Sequence, residues 1–324
     1  MRAIRCHDLI GPAGLRVDDL PDPEPGRGEV LVDVRAAGVN FPDVLFSYGK
    51  YQFKPQPPFS PGLEAAGVVM AIGDGVTTTR PGARVAFTTG HGAFAERVVV
   101  PEHALVPLPD AVDFTVGAAT LLTYGTTMHA LVDRARLGAD ETLLVLGAAG
   151  GVGIAAVELG KLLGAHVIAA AGSDERVAFC RDHGADEGIV YTREDLKERV
   201  KQLTRGAGAN VIYDAVGGPY AEPALRSIAW EGRYLVVGFA AGEIPKIPLN
   251  LVLLKGCQIV GVFWGSFAAR DPVATRAHAT RLLAAVADGK LHPHVDATLP
   301  FTAAAEALTR LERRAVRGKL VLVP

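Results

Sequence analysis

Three glycines close together, Gly150, Gly151 and Gly153, carry the clearest chemistry in this sequence. They follow the apolar run TLLVLG and lead into GIAAVELGKLLG, which has the composition and period of a helix. Such a turn directs free backbone N–H groups and the positive end of a helix dipole to one place, where a pyrophosphate binds. The G-x-G-x-x-G fingerprint matches at Gly150 and Gly153, with Ala148 at its first position. Because four or more strand–helix units follow, the loop, which includes Val152, is predicted to bind a dinucleotide rather than only to form a tight turn.

The second strand of this region, in HVIAAAGSDERV, bears on which dinucleotide binds. An NAD site usually has an acidic residue here for the ribose 2′-hydroxyl, whereas this sequence has alanine and glycine. Ser173 can hydrogen-bond a 2′-phosphate and Arg176 can neutralise its charge. Asp174 and Glu175 on the same turn would repel that phosphate, and Arg176 equally suits a solvated helix face. The pattern favours NADP over NAD.

A metal centre is not predicted. The stretch PGLEAAG has the form of a Gly-His-Glu-x-x-Gly zinc signature, except that Leu63 stands where the imidazole would be. Cys6, Cys180 and Cys257 are far apart and form no C-x-x-C pair. His292 and His294 have no cysteine nearby, and His91 and His129 are isolated in the sequence. No G-x-S-x-G element suggests a hydrolase. The role of Glu64, in the middle of the signature, stays open.

The elements that position these residues change in character along the chain. In VLVDVRAAGV, Val30, Val32, Val34 and Ala36 are predicted to share one face of a half-buried strand. Proline and glycine breaks at short intervals on both sides predict a barrel-like β unit in the first third. The terminal GKLVLVP is predicted to be a strand that returns to this first sheet.

The central region is predicted to be a doubly wound α/β domain. Short apolar runs alternate there with helical patterns, which indicates a parallel sheet with helices on both faces. Two more helices are predicted at 273–288 and 303–313. The predicted strands are TLLVLG, HVIAAA, GIVY, NVIYDAV, RYLVVG and CQIVGV.

Composition restricts the possible partners. The chain has 324 residues and a formal net charge of −2, with both signs interspersed, so neither nucleic acid nor an anionic membrane is an expected partner. No apolar segment is long enough to span a bilayer, and the amino terminus has no apolar signal region. Scattered cysteines suit a reducing cytosol. We expect a cytoplasmic protein that binds a small molecule.

The chain resembles the zinc-independent, zeta-crystallin-like quinone oxidoreductase family of the medium-chain dehydrogenase/reductase superfamily. The motifs that carry the resemblance are AGVNFPDVL, GKYQFKPQPPFSPGLEAAGVV, ETLLVLGAAGGVG, YDAVGG and GKLVLV. The resemblance implies a GroES-like β-barrel catalytic domain at 1–112, a Rossmann domain at 113–262, and a return to the catalytic domain at 263–324. It also implies reduction of quinones or α,β-unsaturated carbonyls with NADPH, without zinc or flavin.

The family's site positions are carried over by motif. Zinc-dependent relatives have a cysteine near Asn40 and a histidine at Leu63, so the resemblance also implies a site without metal. On the helix after the glycine loop, Glu158 replaces a family glutamine. The resemblance implies a 2′-phosphate site of Ser173, Arg176, Tyr191 and Arg314, and nicotinamide-side contacts by Asn40, Thr126, Gly238 and Phe239.

Without a metal, the predicted chemistry is alignment of the nicotinamide against an acceptor that is already electrophilic. Asn40 and Tyr51 are the candidate catalytic residues. The Tyr51 hydroxyl either stabilises a developing oxyanion or belongs to an aromatic ring that packs on the barrel. Phe46, Phe263 and Trp264 either form an apolar floor for a flat substrate or pack in the core.

Three functions follow, with an NADPH-dependent quinone oxidoreductase as the first hypothesis. The alternative is an enone or enoyl-thioester reductase of the 2-alkenal or acryloyl type. A hypothesis of another class is a catalytically silent, crystallin-like structural protein that binds NADPH. The apolar run CQIVGVFWGSF is predicted to place the last Rossmann strand at a sheet edge, where pairing with a second copy would form a homodimer.

Overall fold

The computed structural model describes all 324 residues. It forms two compact units, one made of Met1–Leu122 and Ala268–Pro324 and the other of Thr123–Phe267. The functional domain boundaries expected at residues 112 and 262 stay predictions. None of the helices combines the length and the apolar character that crossing a membrane requires.

Fifteen strands form the sheets of the two units. In chain order they are β1 (Arg2–Cys6), β2 (Leu15–Asp19), β3 (Glu29–Val39), β4 (Glu64–Ile72), β5 (Arg84–Thr88), β6 (Arg97–Pro101), β7 (Leu105–Pro107), β8 (Thr142–Leu146), β9 (His166–Ala171), β10 (Glu187–Val190), β11 (Ala209–Asp214), β12 (Ile228–Val236), β13 (Gln258–Gly261), β14 (Val295–Pro300) and β15 (Lys319–Val323).

Eleven α-helices connect and cover these strands. They are α1 (Phe41–Ser47), α2 (Phe114–Ala118), α3 (Leu121–Met128), α4 (Gly151–Leu162), α5 (Asp174–Asp182), α6 (Leu196–Leu203), α7 (Ala221–Arg226), α8 (Leu249–Lys255), α9 (Trp264–Arg270), α10 (Pro272–Ala287) and α11 (Ala304–Glu312).

The second unit is built on one six-stranded sheet. Its order is β10-β9-β8-β11-β12-β13, and every neighbouring pair is parallel. Buried apolar side chains fill β8 and β9, as expected for strands covered on both faces. The prediction of a doubly wound Rossmann domain is therefore confirmed, and β13 lies at one edge of its sheet.

The first unit is a mostly antiparallel β structure. Its seven-stranded sheet follows the order β14-β15-β3-β4-β5-β7, with β6 also paired to β3. The terminal strand β15 pairs antiparallel with β3, with Leu320 opposite Val39. The predicted return of the last strand to the first sheet is confirmed. A separate hairpin pairs β1 with β2.

One detail of β3 differs from the sequence prediction. Its register with β4 shifts between Val34 and Ala36. Val32 and Val34 lie in the barrel core together with Ala37, whereas Ala36 packs in a different cluster beneath α2 and α10. The prediction that Ala36 shares the face of the valines was wrong, because a β-bulge inserts one residue and reverses the alternation.

Candidate active site

The glycine loop of the second unit joins β8 to α4. Gly147 makes the turn with φ +67°, a backbone conformation that favours glycine. Gly150 is the N-cap of α4, and no side chain caps the helix there. The N–H groups of residues 151–153 lie in the first turn of α4, where no carbonyl group of the helix can accept them. This end of α4 therefore offers several donors to an anion.

The loop also needs glycine for packing. A Cβ atom at Gly153 would lie 2.2 Å from the carbonyl oxygen of Gly147, a separation that no relaxed structure allows. One at Gly160 would lie 2.7 Å from Leu143 and would push α4 away from the sheet. The absence of side chains at these glycines therefore allows the backbone of α4 to lie close to β8. A bare, donor-rich helix terminus of this kind fits the pyrophosphate of a dinucleotide.

The residues expected at a 2′-phosphate follow β9. Ser173 is the N-cap of α5, and its Oγ accepts a hydrogen bond from the backbone N–H of Arg176 at 3.4 Å. Arg193 binds both carboxylate oxygens of Asp174. The hydrogen bonds from Arg193 lower the pKa of Asp174. One of the two acidic residues that would repel a phosphate is therefore paired with Arg193, which no sequence motif marks.

Tyr191 lies beside the same turn. Its backbone N–H donates to the carbonyl oxygen of Ala171, and its ring is 4.2 Å from that of Tyr220. A side chain at Gly172 would approach the Tyr191 hydroxyl to 3.9 Å. The structure thus brings Ser173, Arg176 and Tyr191 to one end of the parallel sheet. Arg314 belongs to the first unit, where it follows α11 with φ +55°.

Asp214 organises the carboxyl end of β11. Its Oδ1 accepts the N–H groups of Val216 and Gly217, each at 2.8 Å, and its Oδ2 accepts the Tyr234 hydroxyl. Burial raises the pKa of this carboxyl. The turn that Asp214 holds packs against the loop of Gly238 and Phe239: a Cβ atom at Gly217 would lie 2.9 Å from the Phe239 ring.

Thr126 lies on α3. The next residue of this helix, Thr127, contacts α4. Thr127 Oγ1 donates to the carbonyl oxygen of Val152 at 3.3 Å and lies 3.0 Å from the Tyr213 hydroxyl. The Trp264 indole packs against Gly125, one residue before Thr126. Trp264 is therefore next to a predicted contact residue, and Phe263 is 53% exposed.

The first unit contains a buried polar cluster around Asn40. Lys319 Nζ donates to Glu64 Oε1 at 2.8 Å, to the carbonyl oxygen of Val39 at 2.9 Å, and to Asn40 Oδ1. Asn40 Nδ2 donates to the same Glu64 oxygen at 2.9 Å. The other oxygen, Glu64 Oε2, accepts the backbone N–H of Leu122 at 2.8 Å. Glu64, whose role the sequence left open, is thus the anion of a buried ion pair.

Asp43 joins this cluster from α1. Its Oδ2 accepts the backbone N–H of Asn40 at 2.8 Å, and its Oδ1 accepts that of Gly62 at 3.0 Å. Burial raises the pKa of Asp43 to about 7, against the opposing effects of the two N–H groups and the Lys319 charge. The carboxyl therefore titrates in the physiological range.

Leu63 and Tyr51 flank the polar cluster with apolar surface. Leu63 is buried with Phe46, Phe59 and Cys6, so the position of the missing imidazole belongs to a hydrophobic cluster. The Tyr51 ring meets the Phe46 ring edge-on at 4.8 Å. Burial, with a smaller contribution from the Asp43 charge, raises the pKa of Tyr51. Phe46 itself packs in the core, at 2% exposure.

Comparisons with known proteins cover the whole chain. Residues 26–110 match the family model described as an alcohol dehydrogenase GroES-like domain, and residues 151–282 match the one described as a zinc-binding dehydrogenase. The quinone oxidoreductase-like protein 2 homolog of Nematostella vectensis is 41% identical over 99% of this chain and 88% of that protein. The chain belongs to the quinone oxidoreductase family.

Two further family members show how close the similarity is. The quinone oxidoreductase of Pseudomonas aeruginosa is 37% identical over 97% of each chain. The structure of the Escherichia coli quinone oxidoreductase complexed with NADPH is similar with a TM-score of 0.92, at 29% identity over 100% of each chain. The resemblance found in the sequence motifs is confirmed, and with it the place in the medium-chain dehydrogenase/reductase superfamily.

This quinone oxidoreductase family member has no side chains arranged as a metal centre. No group of three or more His, Cys, Asp or Glu side chains could hold an ion. At the two positions where zinc-dependent relatives have ligands, Asn40 accepts a hydrogen bond from Lys319 and Leu63 packs against apolar side chains. An amide held by an ammonium group and a buried leucine offer a cation no thiolate or imidazole.

Sequence reasoning missed three residues of the site. Lys319 stands in the motif GKLVLV, where a lysine at the start of an apolar terminal strand is the only signal. Asp43 lies inside the motif AGVNFPDVL, which gives no sign of its burial, and Arg193 follows β10 without any motif. Lys319 bonds to Asn40 across 279 residues, whereas Arg193 reaches Asp174 across 19 residues and Asp43 reaches Gly62 across 19.

Proposed function

We propose that this protein is an NADPH-dependent quinone oxidoreductase that transfers hydride without a metal. The observation that carries this proposal is the environment of Asn40 and Leu63, where an ammonium group and an apolar cluster surround the positions that zinc ligands would need. A site of this kind lacks a Lewis acid, so it suits an acceptor that is already electrophilic, such as a quinone. The names of the curated relatives support the same reaction.

The preference for NADPH is supported by the surroundings of α5. Arg193 pairs with Asp174, which reduces the repulsion that this one of the two carboxylates would exert on a 2′-phosphate. Ser173 and Arg176 remain the proposed partners of that phosphate, with Tyr191 and Arg314. The relative from Escherichia coli was solved with NADPH, which supports the same cofactor here.

The residues proposed to hold the cofactor have separate tasks. The N–H groups of 151–153, in the first turn after the N-cap Gly150, are proposed to bind the pyrophosphate at the uncapped end of α4. Gly238 and Phe239, on the turn supported by Asp214, and Thr126 and Asn40 are proposed at the nicotinamide half. When bound, NADPH supplies the hydride from C4 of its nicotinamide.

Tyr51 is proposed to interact with the substrate. The Tyr51 hydroxyl is protonated at neutral pH, as in any tyrosine, and the raised pKa caused by burial and the Asp43 charge keeps it a hydrogen-bond donor at higher pH too. A donor beside the quinone oxygen stabilises the negative charge that develops as hydride arrives. Phe263 and Trp264 are proposed to offer apolar surface to the flat ring.

The test is an assay of NADPH oxidation with a panel of benzoquinones and naphthoquinones, together with enones and an enoyl thioester. We expect turnover with quinones and a marked preference for NADPH over NADH. The variant Gly153→Val, which overfills the phosphate loop, serves as the negative control. Oxidation only with enones or the thioester would favour the alternative reductase, and tight NADPH binding without any turnover would favour a structural protein.

The edge strand β13 and the cysteines concern the assembly and the location of the protein. The edge strand β13 exposes Ile259, and Phe263 just beyond it is also exposed, so we propose a homodimer formed through this edge. All three cysteines are free and buried, which suits the reducing cytoplasm. The proposed partner is a small-molecule quinone, with neither nucleic acid nor membrane involved.

A further inference from the structure

The polar cluster of Asn40, Asp43, Glu64 and Lys319 in the first unit is buried, although removing charged side chains from water costs free energy. Asn40, Asp43, Glu64 and Lys319 are exposed by 4%, 0%, 1% and 3%. Placing an ion pair in such a site is expensive, and an apolar pair of similar volume often stabilises a fold equally well. The retention of charge here therefore calls for a role besides stability.

The pair fixes the orientation of one amide group. An ammonium group can only donate hydrogen bonds and a carboxylate can only accept them. Lys319 Nζ therefore requires the oxygen of Asn40 on its side, and Glu64 Oε1, at 2.9 Å, requires the nitrogen on the other. A flipped Asn40 amide would face a donor with a donor and an acceptor with an acceptor.

The same contacts determine what Asn40 has left to offer. Nδ2 uses its two hydrogens on Glu64 Oε1 and on the carbonyl oxygen of Gly38, at 2.9 Å and 3.3 Å. Oδ1 has two lone pairs, of which Lys319 takes one. The remaining capacity of the Asn40 side chain is a single acceptor site.

We propose that Lys319 and Glu64 are positioning residues that present Asn40 as a hydrogen-bond acceptor to an N–H or O–H group on the nicotinamide half of the cofactor. This inference rests on the proposed function, because it takes Asn40 as a cofactor contact. Its specific content is the polarity of that contact. The ligand donates, Asn40 accepts, and the buried ion pair prevents the reverse.

The experiment measures NADPH binding by fluorescence, without any acceptor, so that it does not depend on quinone turnover. In Lys319→Met the Asn40 amide loses the donor that orients it, and we expect the Kd for NADPH to rise roughly three- to tenfold, the effect of one hydrogen bond. Lys319→Arg supplies donors at the same place and should restore most of the affinity. A wild-type protein that binds NADPH but reduces no quinone would refute the proposed function and leave this test intact.

Two further variants separate positioning from general damage. Arg233→Met breaks a bidentate ion pair with Glu141 within the second unit and removes no contact of Asn40, so it should lower thermal stability without changing the Kd. Glu64→Gln keeps the shape but can donate as well as accept, so it should weaken binding even if Lys319→Met does not fold. A wild-type Kd in both Lys319→Met and Glu64→Gln would overturn the proposal, as would an equal loss in Lys319→Arg and Lys319→Met.

An analogue identifies the donor. The reduced 3-acetylpyridine form of NADPH has a methyl group in place of the carboxamide NH2. If the donor is the carboxamide N–H, Lys319→Met should weaken binding of NADPH but not of the analogue. If the donor is a ribose hydroxyl, both ligands should lose affinity equally. Either result supports an accepting Asn40, whereas tighter binding of both ligands to Lys319→Met would contradict it.

Discussion

The pKa of Asp43 lies far above that of a free carboxyl group. Burial raises its pKa from 3.8 to about 7 even though two backbone N–H groups favour the charged form. The folded state therefore binds the Asp43 proton more tightly than the unfolded state does. The contribution of this group to stability is present below pH 4 and is lost as the pH rises towards 7.

Replacement of Asp43 by asparagine removes this titration. Between pH 4 and pH 7.5, the free energy of unfolding of the wild type should fall relative to that of Asp43→Asn by roughly 4 kcal/mol. Urea denaturation at a series of pH values measures the difference. The variant should be less stable at low pH, because an amide nitrogen cannot accept from Asn40 or Gly62. Parallel curves across this range would contradict the prediction.

At the residue scale, local patterns indicate candidate site residues, whereas they do not reveal partners that are distant in the sequence. Gly150 and Gly153 were predictable because a phosphate loop is a contiguous motif. Lys319 was not, because its importance depends on Glu64 and Asn40, which tertiary structure brings to it from the other end of the chain. Asn40 was predicted as a site residue, but no sequence pattern could give the direction of its hydrogen bond.

An ion pair joins the first turn of α5 to the segment after β10. Arg193 holds Asp174 by two hydrogen bonds, on exposed side chains. A free carboxylate at this position would suit the dipole of α5 but would repel a 2′-phosphate bound beside it. We therefore expect the ion pair between these elements to favour NADPH over NADH.

The variant Arg193→Ala tests this element contact. We expect the Kd for NADPH to rise several-fold while that for NADH changes little, and the double variant with Asp174→Asn should recover the preference. Arg199→Ala, which removes a neighbouring pair with Glu194, is the matched control and should leave the ratio unchanged. Equal losses for both nucleotides in Arg193→Ala would show that the pair acts only on stability. Titration at several salt concentrations would reveal the electrostatic component.

Element types were predictable where a strong period existed. The six Rossmann strands and the helices between them follow from apolar runs alternating with helical patterns, as the sheet order confirms. The face of Ala36 was not predictable, because a bulge depends on how β3 pairs with β4 rather than on its own residues. Periodicity reports which element forms, whereas register depends on the partner strand.

At the scale of the whole molecule, β13 leaves one edge of the six-stranded sheet open. Ile259 on this strand is 40% exposed. If two copies pair along the edge, Ile259→Lys should convert a dimer to a monomer, because each charge would face the partner's edge. Val17→Lys, at a position 46% exposed on the β1–β2 hairpin, is the control and should leave the mass unchanged. Sedimentation of the wild type as a monomer at micromolar concentration would contradict the proposed assembly.

The position of β15 has a consequence for synthesis on the ribosome. This strand lies between β14 and β3 in the first sheet, yet it is the last strand of the chain to be made. The second unit is contiguous and can fold as it emerges, whereas the first sheet stays open until the final strand arrives. Until β15 has been made, Glu64 has no ion pair with Lys319. The ion pair that orients Asn40 is thus formed among the last contacts of folding, so a nascent chain cannot hold the amide in place before the barrel is closed.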